Sequence, residues 1–86
     1  MDVIDVNVIG DTRLHIKFDD GREGDLECTG FLSFNGVFEP LRDPREFAKV
    51  RVDPESGTIC WPNGADIDPY VLYSRVTGAP LPELGQ

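Results

Sequence analysis

Several things are scarce in this chain, and each scarcity excludes something. Cysteine occurs only twice, at Cys28 and Cys60. Two cysteines do not make a disulfide framework, and in a reducing compartment they read as small buried apolar groups. Neither has Cys or His neighbours at metal spacing, so no zinc site is expected. Histidine occurs once, at His15. Positive charge is also sparse: eight Lys and Arg stand against sixteen Asp and Glu, a net charge of −8. Nucleic-acid binding needs a basic footprint, and so does an anionic membrane surface. Neither partner is expected, whereas a basic protein partner fits the same arithmetic. No apolar run approaches the ~18 residues of a membrane span. The start, Met1-Asp2-Val3-Ile4-Asp5, lacks the pattern of a signal peptide, so a cytoplasmic location is expected. There is no internal repeat, low-complexity segment or linker.

What remains is a small domain with dense turn chemistry. Eighty-six residues suit one domain, expected over residues 1–78, with a Pro-rich tail over 79–86. Asp2 to Ile9 alternates as a half-buried strand, with Ile4, Val6 and Val8 on one face and Asp5 and Asn7 on the other. Arg13 to Phe18 alternates again, placing Leu14, Ile16 and Phe18 inward and Arg13, His15 and Lys17 outward. Arg22 to Cys28 is the third strand, with Glu23, Asp25 and Glu27 outward.

The hairpin register follows from its consequences. A three-residue Asp19-Asp20-Gly21 loop sets Lys17 opposite Glu23, His15 opposite Asp25, and Arg13 opposite Glu27. A two-residue loop would set carboxylates against Phe18 and Ile16, and burying them unpaired is costly. The first hairpin similarly sets Asp5 beside Lys17 and Asn7 beside His15. The middle strand is then a basic stripe between acidic neighbours, each pair contributing about 0.2–1 kcal/mol. His15 beside Asp25 has the chemistry of a general base. No Ser or Cys nucleophile is placed with it, so a structural role is favoured.

Residues 29–38 carry Phe31, Phe34 and Phe38 and read as a short helical turn or an irregular crossover. Their default use is core; exposed, Phe31 or Phe34 becomes a partner contact. Asp43-Pro44 begins a short helix, with Glu46 completing a capping box. Val50 to Asp53 and Thr58 to Trp61 form a second hairpin, pairing Val52 with Ile59 and Val50 with Trp61. Pro62-Asn63-Gly64 stops that strand. Asp68-Pro69 starts a helix that ends at Thr77-Gly78. Asn63, Asp66 and Asp68 are the residues of an alternative ligand- or metal-binding turn. Calcium usually takes six to eight oxygens. Too few are supplied here, so Asp68 as a cap and Asp66 bonding a turn amide is the simpler reading.

The stretch from Thr58 to Pro69, Thr-Ile-Cys-Trp-Pro-Asn-Gly-Ala-Asp-Ile-Asp-Pro, is the most specific in the chain. Together with Phe18-Asp19-Asp20-Gly21-Arg22-Glu23-Gly24, Phe38-Glu39-Pro40-Leu41, Asp43, Phe47 and Leu72-Tyr73, it resembles a family of small bacterial proteins, domain of unknown function 2442. The resemblance covers nearly everything but the tail. It implies a small α+β domain and companionship with other small proteins, in arrangements similar to toxin–antitoxin pairs. Some related chains continue into a helix-turn-helix domain; this one ends at Gln86, so direct operator binding is not expected. The resemblance supplies no catalytic residues.

The expected fold is α+β: an antiparallel three-stranded meander plus a second β-hairpin, packed with two short helices. The expected function is a non-enzymatic, antitoxin-like interaction module that binds a basic protein partner and needs no cofactor. Its contacts are Phe31, Phe34, Glu23, Asp25 and Glu27. The alternative is a ligand- or metal-binding domain or small enzyme using Asn63, Asp66 and Asp68. A homodimer through edge strands is compatible with either.

Overall fold

The computed structural model describes residues 2–30 and 32–79. Phe31 and tail residues 80–86 lie outside the described residues. Strands β1 (Val3–Val8), β2 (Arg13–Phe18) and β3 (Glu23–Glu27) form one antiparallel sheet in that order. Strands β4 (Arg51–Asp53) and β5 (Thr58–Cys60) form a separate two-stranded sheet. The helices are α1 (Pro44–Phe47) and α2 (Pro69–Thr77), with 3₁₀ segments at Cys28–Gly30 and Gly36–Arg42. This is the α+β arrangement that the sequence predicts.

The β2–β3 hairpin has the expected register: Lys17 faces Glu23, His15 faces Asp25, and Arg13 faces Glu27. Its turn explains why. Gly21 N–H donates to the Phe18 carbonyl, and Phe18 N–H donates to the Arg22 carbonyl. Gly21 sits at φ 90°, in the left-handed region where glycine alone is unstrained. The β1–β2 ladder also sets Asp5 opposite Lys17 and Asn7 opposite His15.

The start of β1 corrects the simple alternation. Val3 pairs with Phe18 while Asp5 pairs with Lys17, so β1 carries an extra residue at Ile4. This β-bulge turns Val3, not Ile4, into the core. Ile4 is 53% exposed and Val8 39% exposed, while Val6 is half-buried against the core. The bulge has a cause in the packing of the two sheets. Val3 N–H donates to the Gly57 carbonyl, and Asp19 N–H donates to the Asp2 carbonyl. The chain must bend there to tie β1 to the β4–β5 hairpin.

Trp61 organises the interior. It is buried, and its Nε1–H donates 2.9 Å to the Phe47 carbonyl. Phe47 tilts against it at 5.8 Å, and Phe38 stands edge-on at 6.4 Å. One side chain thus joins β5, α1 and the Gly36–Arg42 segment. That segment is a 3₁₀ helix that runs on past Phe38 to Arg42 and turns Leu41 into the core. Asp43 caps α1 as expected, accepting from Arg45 N–H. Glu46 does not close a capping box. The Asp43 N–H already donates to the Pro40 carbonyl of the preceding 3₁₀ turn, and the Glu46 carboxylate accepts from Lys49.

Helix α2 lies over β3. Leu72 is fully buried, and the Tyr73 ring meets Phe18 edge-on at 4.9 Å. The Tyr73 hydroxyl donates 2.6 Å to Asp20, pinning the helix to the β2–β3 turn. That bond lowers the Asp20 carboxyl and raises the Tyr73 hydroxyl relative to their ordinary values. Gly78 ends the helix at φ 79°. Cys28 is buried, and its burial pushes the thiol up to about 12, consistent with an inert core residue. Among the described residues, no helix is long and apolar enough to cross a membrane.

Candidate functional site

Two places carry the residues singled out from the sequence. The first is the outer face of the meander. His15 lies between two carboxylates: Nδ1 is 2.7 Å from Asp25 and Nε2 is 2.9 Å from Glu23. The hairpin register sets Asp25 directly opposite His15, and Glu23 approaches it diagonally from opposite Lys17. Directly opposed and diagonal side chains on one face lie within reach of each other. A neutral imidazole has one N–H, so it can donate to only one carboxylate; the imidazolium donates to both. The bonds to Asp25 and then Glu23 accordingly raise the His15 pKa. His15 therefore acts as a positive tie between β2 and β3, and no nucleophile shares its neighbourhood in the ladder.

Glu27 is tied in the same way. It accepts from the hydroxyls of Thr12 and Thr29 and lies 3.6 Å from Arg13. The Thr12 hydroxyl is the chief reason its carboxyl sits below the usual range. Glu23, Asp25 and Glu27 thus share one exposed edge of the sheet, as the sequence predicts, and each has a partner on β2. Phe34, proposed with them, is half-buried against the core. It lines a separate hollow of about 340 Å³ with Thr12, Thr29 and Arg42, and its carbonyl accepts from Arg42 Nε.

The His15 geometry has a measurable consequence. A raised folded-state pKa means protonation favours the fold. The stabilisation is complete below the unfolded value of about 6.5 and is lost as pH rises through the higher folded value. Wild type is expected to lose thermal stability over that window relative to His15→Gln. Melting curves of both proteins across neutral pH at constant ionic strength check this. A difference between them that stays constant with pH contradicts it.

The second place is the turn after Trp61. Gly64 N–H donates to the Trp61 carbonyl and Trp61 N–H donates to the Ala65 carbonyl. Gly64 is at φ 92°. This repeats the hydrogen-bond pattern of the Asp19-Asp20-Gly21 loop. Asn63 proves to be the working side chain: its Oδ1 accepts from Ala65 N–H, and its Nδ2 donates 2.8 Å to the Val37 carbonyl. The expected turn bond of Asp66 is thus made by Asn63 instead. Asp66 is exposed, and its backbone bridges to Cys60. Asp68 caps α2 as predicted, accepting 2.8 Å from Tyr70 N–H. Among the described residues, no three His, Cys, Asp or Glu side chains group as a metal shell. The Asn63–Val37 bond escaped sequence reasoning because it spans 26 residues and no local pattern signals it.

A third feature is the outer edge of β1, the terminal strand of its sheet. Ile4, Val8 and Ile9 are exposed along it.

Comparison with known proteins adds the family. The model of the family described as protein of unknown function DUF2442 matches residues 3–78, and the chain belongs to that family. No curated protein and no solved structure matches it.

Proposed function

Taking that membership as the premise, we propose that the chain is a non-enzymatic protein-interaction module that binds a basic protein partner. The observation that carries this reading is its charge: sixteen acidic residues against eight basic ones, with the charged side chains among the described residues lying at the surface. Surface charge of one sign raises the encounter rate with an oppositely charged partner and selects against like-charged ones. The reading extends to a cytoplasmic, antitoxin-like companion of a second small protein. The His15 and Asp68 side chains support it indirectly, since each is engaged in holding the fold.

The test is affinity purification of the tagged chain from its host, followed by mass spectrometry. The expected result is one stoichiometric basic protein that is released at high salt. Recovery of the chain alone, or a turnover activity that Asp66→Ala abolishes, overturns the reading.

A further inference from the structure

The outer edge of β1 is an open edge of the three-stranded sheet. In an antiparallel ladder, hydrogen-bonded and non-hydrogen-bonded pairs alternate. Ile9 N–H donates to the Arg13 carbonyl, so Asn7–His15 and Asp5–Lys17 are the bonded pairs. Val6 and Val8 therefore turn their N–H and C=O groups away from β2. β1 is the terminal strand of its sheet, so these groups face outward. The start of the edge is sealed, where Val3 N–H donates to the Gly57 carbonyl and the β4–β5 hairpin packs against β1. Beyond that point Val8 is 39% exposed and Ile9 47% exposed. Unpaired backbone groups beside exposed apolar side chains are a template for strand addition.

The charge around this edge selects the occupant. Residues 2–12 contain Asp2, Asp5 and Asp11 and no Lys or Arg. Asp5 stands on the outer face of the strand, where its carboxylate accepts the Asn7 amide. Lys17 is opposite Asp5 in register on the inner side; the outer side faces solvent. A second copy of this chain would bring the same acidic edge against itself, and like charges across a strand pair are destabilising. We propose that the β1 edge binds an extended basic segment of a different protein as a fourth strand. Its Lys or Arg residues fall beside Asp5, and its apolar residues fall beside Val8. This rests on the interaction reading above and gives it a place and a partner chemistry.

The test uses the full chain and a capped peptide of alternating lysine and valine, with a glutamate–valine peptide as control. Amide hydrogen exchange is followed by NMR. In the free chain, Val6 and Val8 amides exchange fast while Asn7 and Ile9 amides are protected. The lysine peptide is expected to slow Val6 and Val8 by about tenfold or more, and the glutamate peptide to leave them unchanged. Val8→Pro removes an outward N–H that the sheet does not use, a substitution edge strands tolerate. It is expected to keep the β2–β3 protection pattern and abolish the peptide effect. Three outcomes overturn the proposal: no binding, binding that leaves the Val6 and Val8 rates unchanged, or protection that grows with chain concentration alone. The last would make a second copy the occupant. A natural partner that Val8→Pro still captures sinks the edge assignment and leaves the interaction reading standing. Absence of any partner for the wild type sinks the broader reading.

Discussion

Trp61→Ala is expected to lower the free energy of unfolding by about 3–5 kcal/mol, the usual cost of deleting a buried large aromatic. Three contributions act together. The indole is buried, so its removal leaves a cavity between β5, α1 and the 3₁₀ segment. Its ring contacts with Phe47 and Phe38 are lost. The Phe47 carbonyl loses its Nε1–H donor and keeps only the longer 3.3 Å bond from the Val50 N–H, so the loss is that of one hydrogen bond, about 0.5–1.5 kcal/mol. A small domain has roughly 5–15 kcal/mol in total, so this one change removes a large share of it. Trp61→Phe separates the contributions, because it keeps most of the packing and loses the hydrogen bond. Urea unfolding of the three proteins measures this. An alanine variant no less stable than the phenylalanine variant contradicts the central role of Trp61.

Gly24→Ala is the second large effect, and its sign is decided by magnitudes. Glycine inside a strand is ordinarily worse than alanine by about 0.5–1 kcal/mol, so a stabilising change is the default. Here a Cβ at position 24 would lie 2.9 Å from Val76 Cγ1 and 3.6 Å from the Val76 carbonyl. Overpacking of this kind typically costs about 1–3 kcal/mol, which outweighs the gain. Alanine is therefore expected to destabilise by pushing α2 off β3. Val76→Ala in the same chain removes the clash and is expected to recover much of the loss. The double-mutant cycle carries the test. Additive effects of the two substitutions would mean that α2 does not rest on Gly24.

The parts of the fold that were legible in the sequence are those set by local chemistry. The register of β2 on β3 followed from one loop, Asp19-Asp20-Gly21, and from the cost of setting Glu23 against Phe18. The starts of α1 and α2 followed from Asp43-Pro44 and Asp68-Pro69. The parts that were not legible depend on distant partners. The bulge at Ile4 exists because Val3 must reach Gly57, which is far along the chain. Glu46 has the spacing of a capping box, but the Asp43 N–H is occupied by the Pro40 carbonyl of a 3₁₀ turn that local spacing does not signal. Asn63 had the right turn chemistry, but its second bond, to Val37, is a tertiary contact. For the candidate site, the charged ladder of Glu23, Asp25, Glu27 and His15 could be placed residue by residue. That His15 uses both ring nitrogens could not, because the diagonal approach of Glu23 depends on the twist of the built sheet.

The most direct test of the interaction account is the mass of the affinity-purified material, read by light scattering at low and high salt. Raising the ionic strength from about 0.1 M to about 1 M shortens the screening length from about 10 Å to about 3 Å. The account predicts a complex of this chain with one basic protein at low salt, and separate chains at high salt. A single species with the mass of this chain alone, or of its homodimer, at both salt concentrations would contradict it.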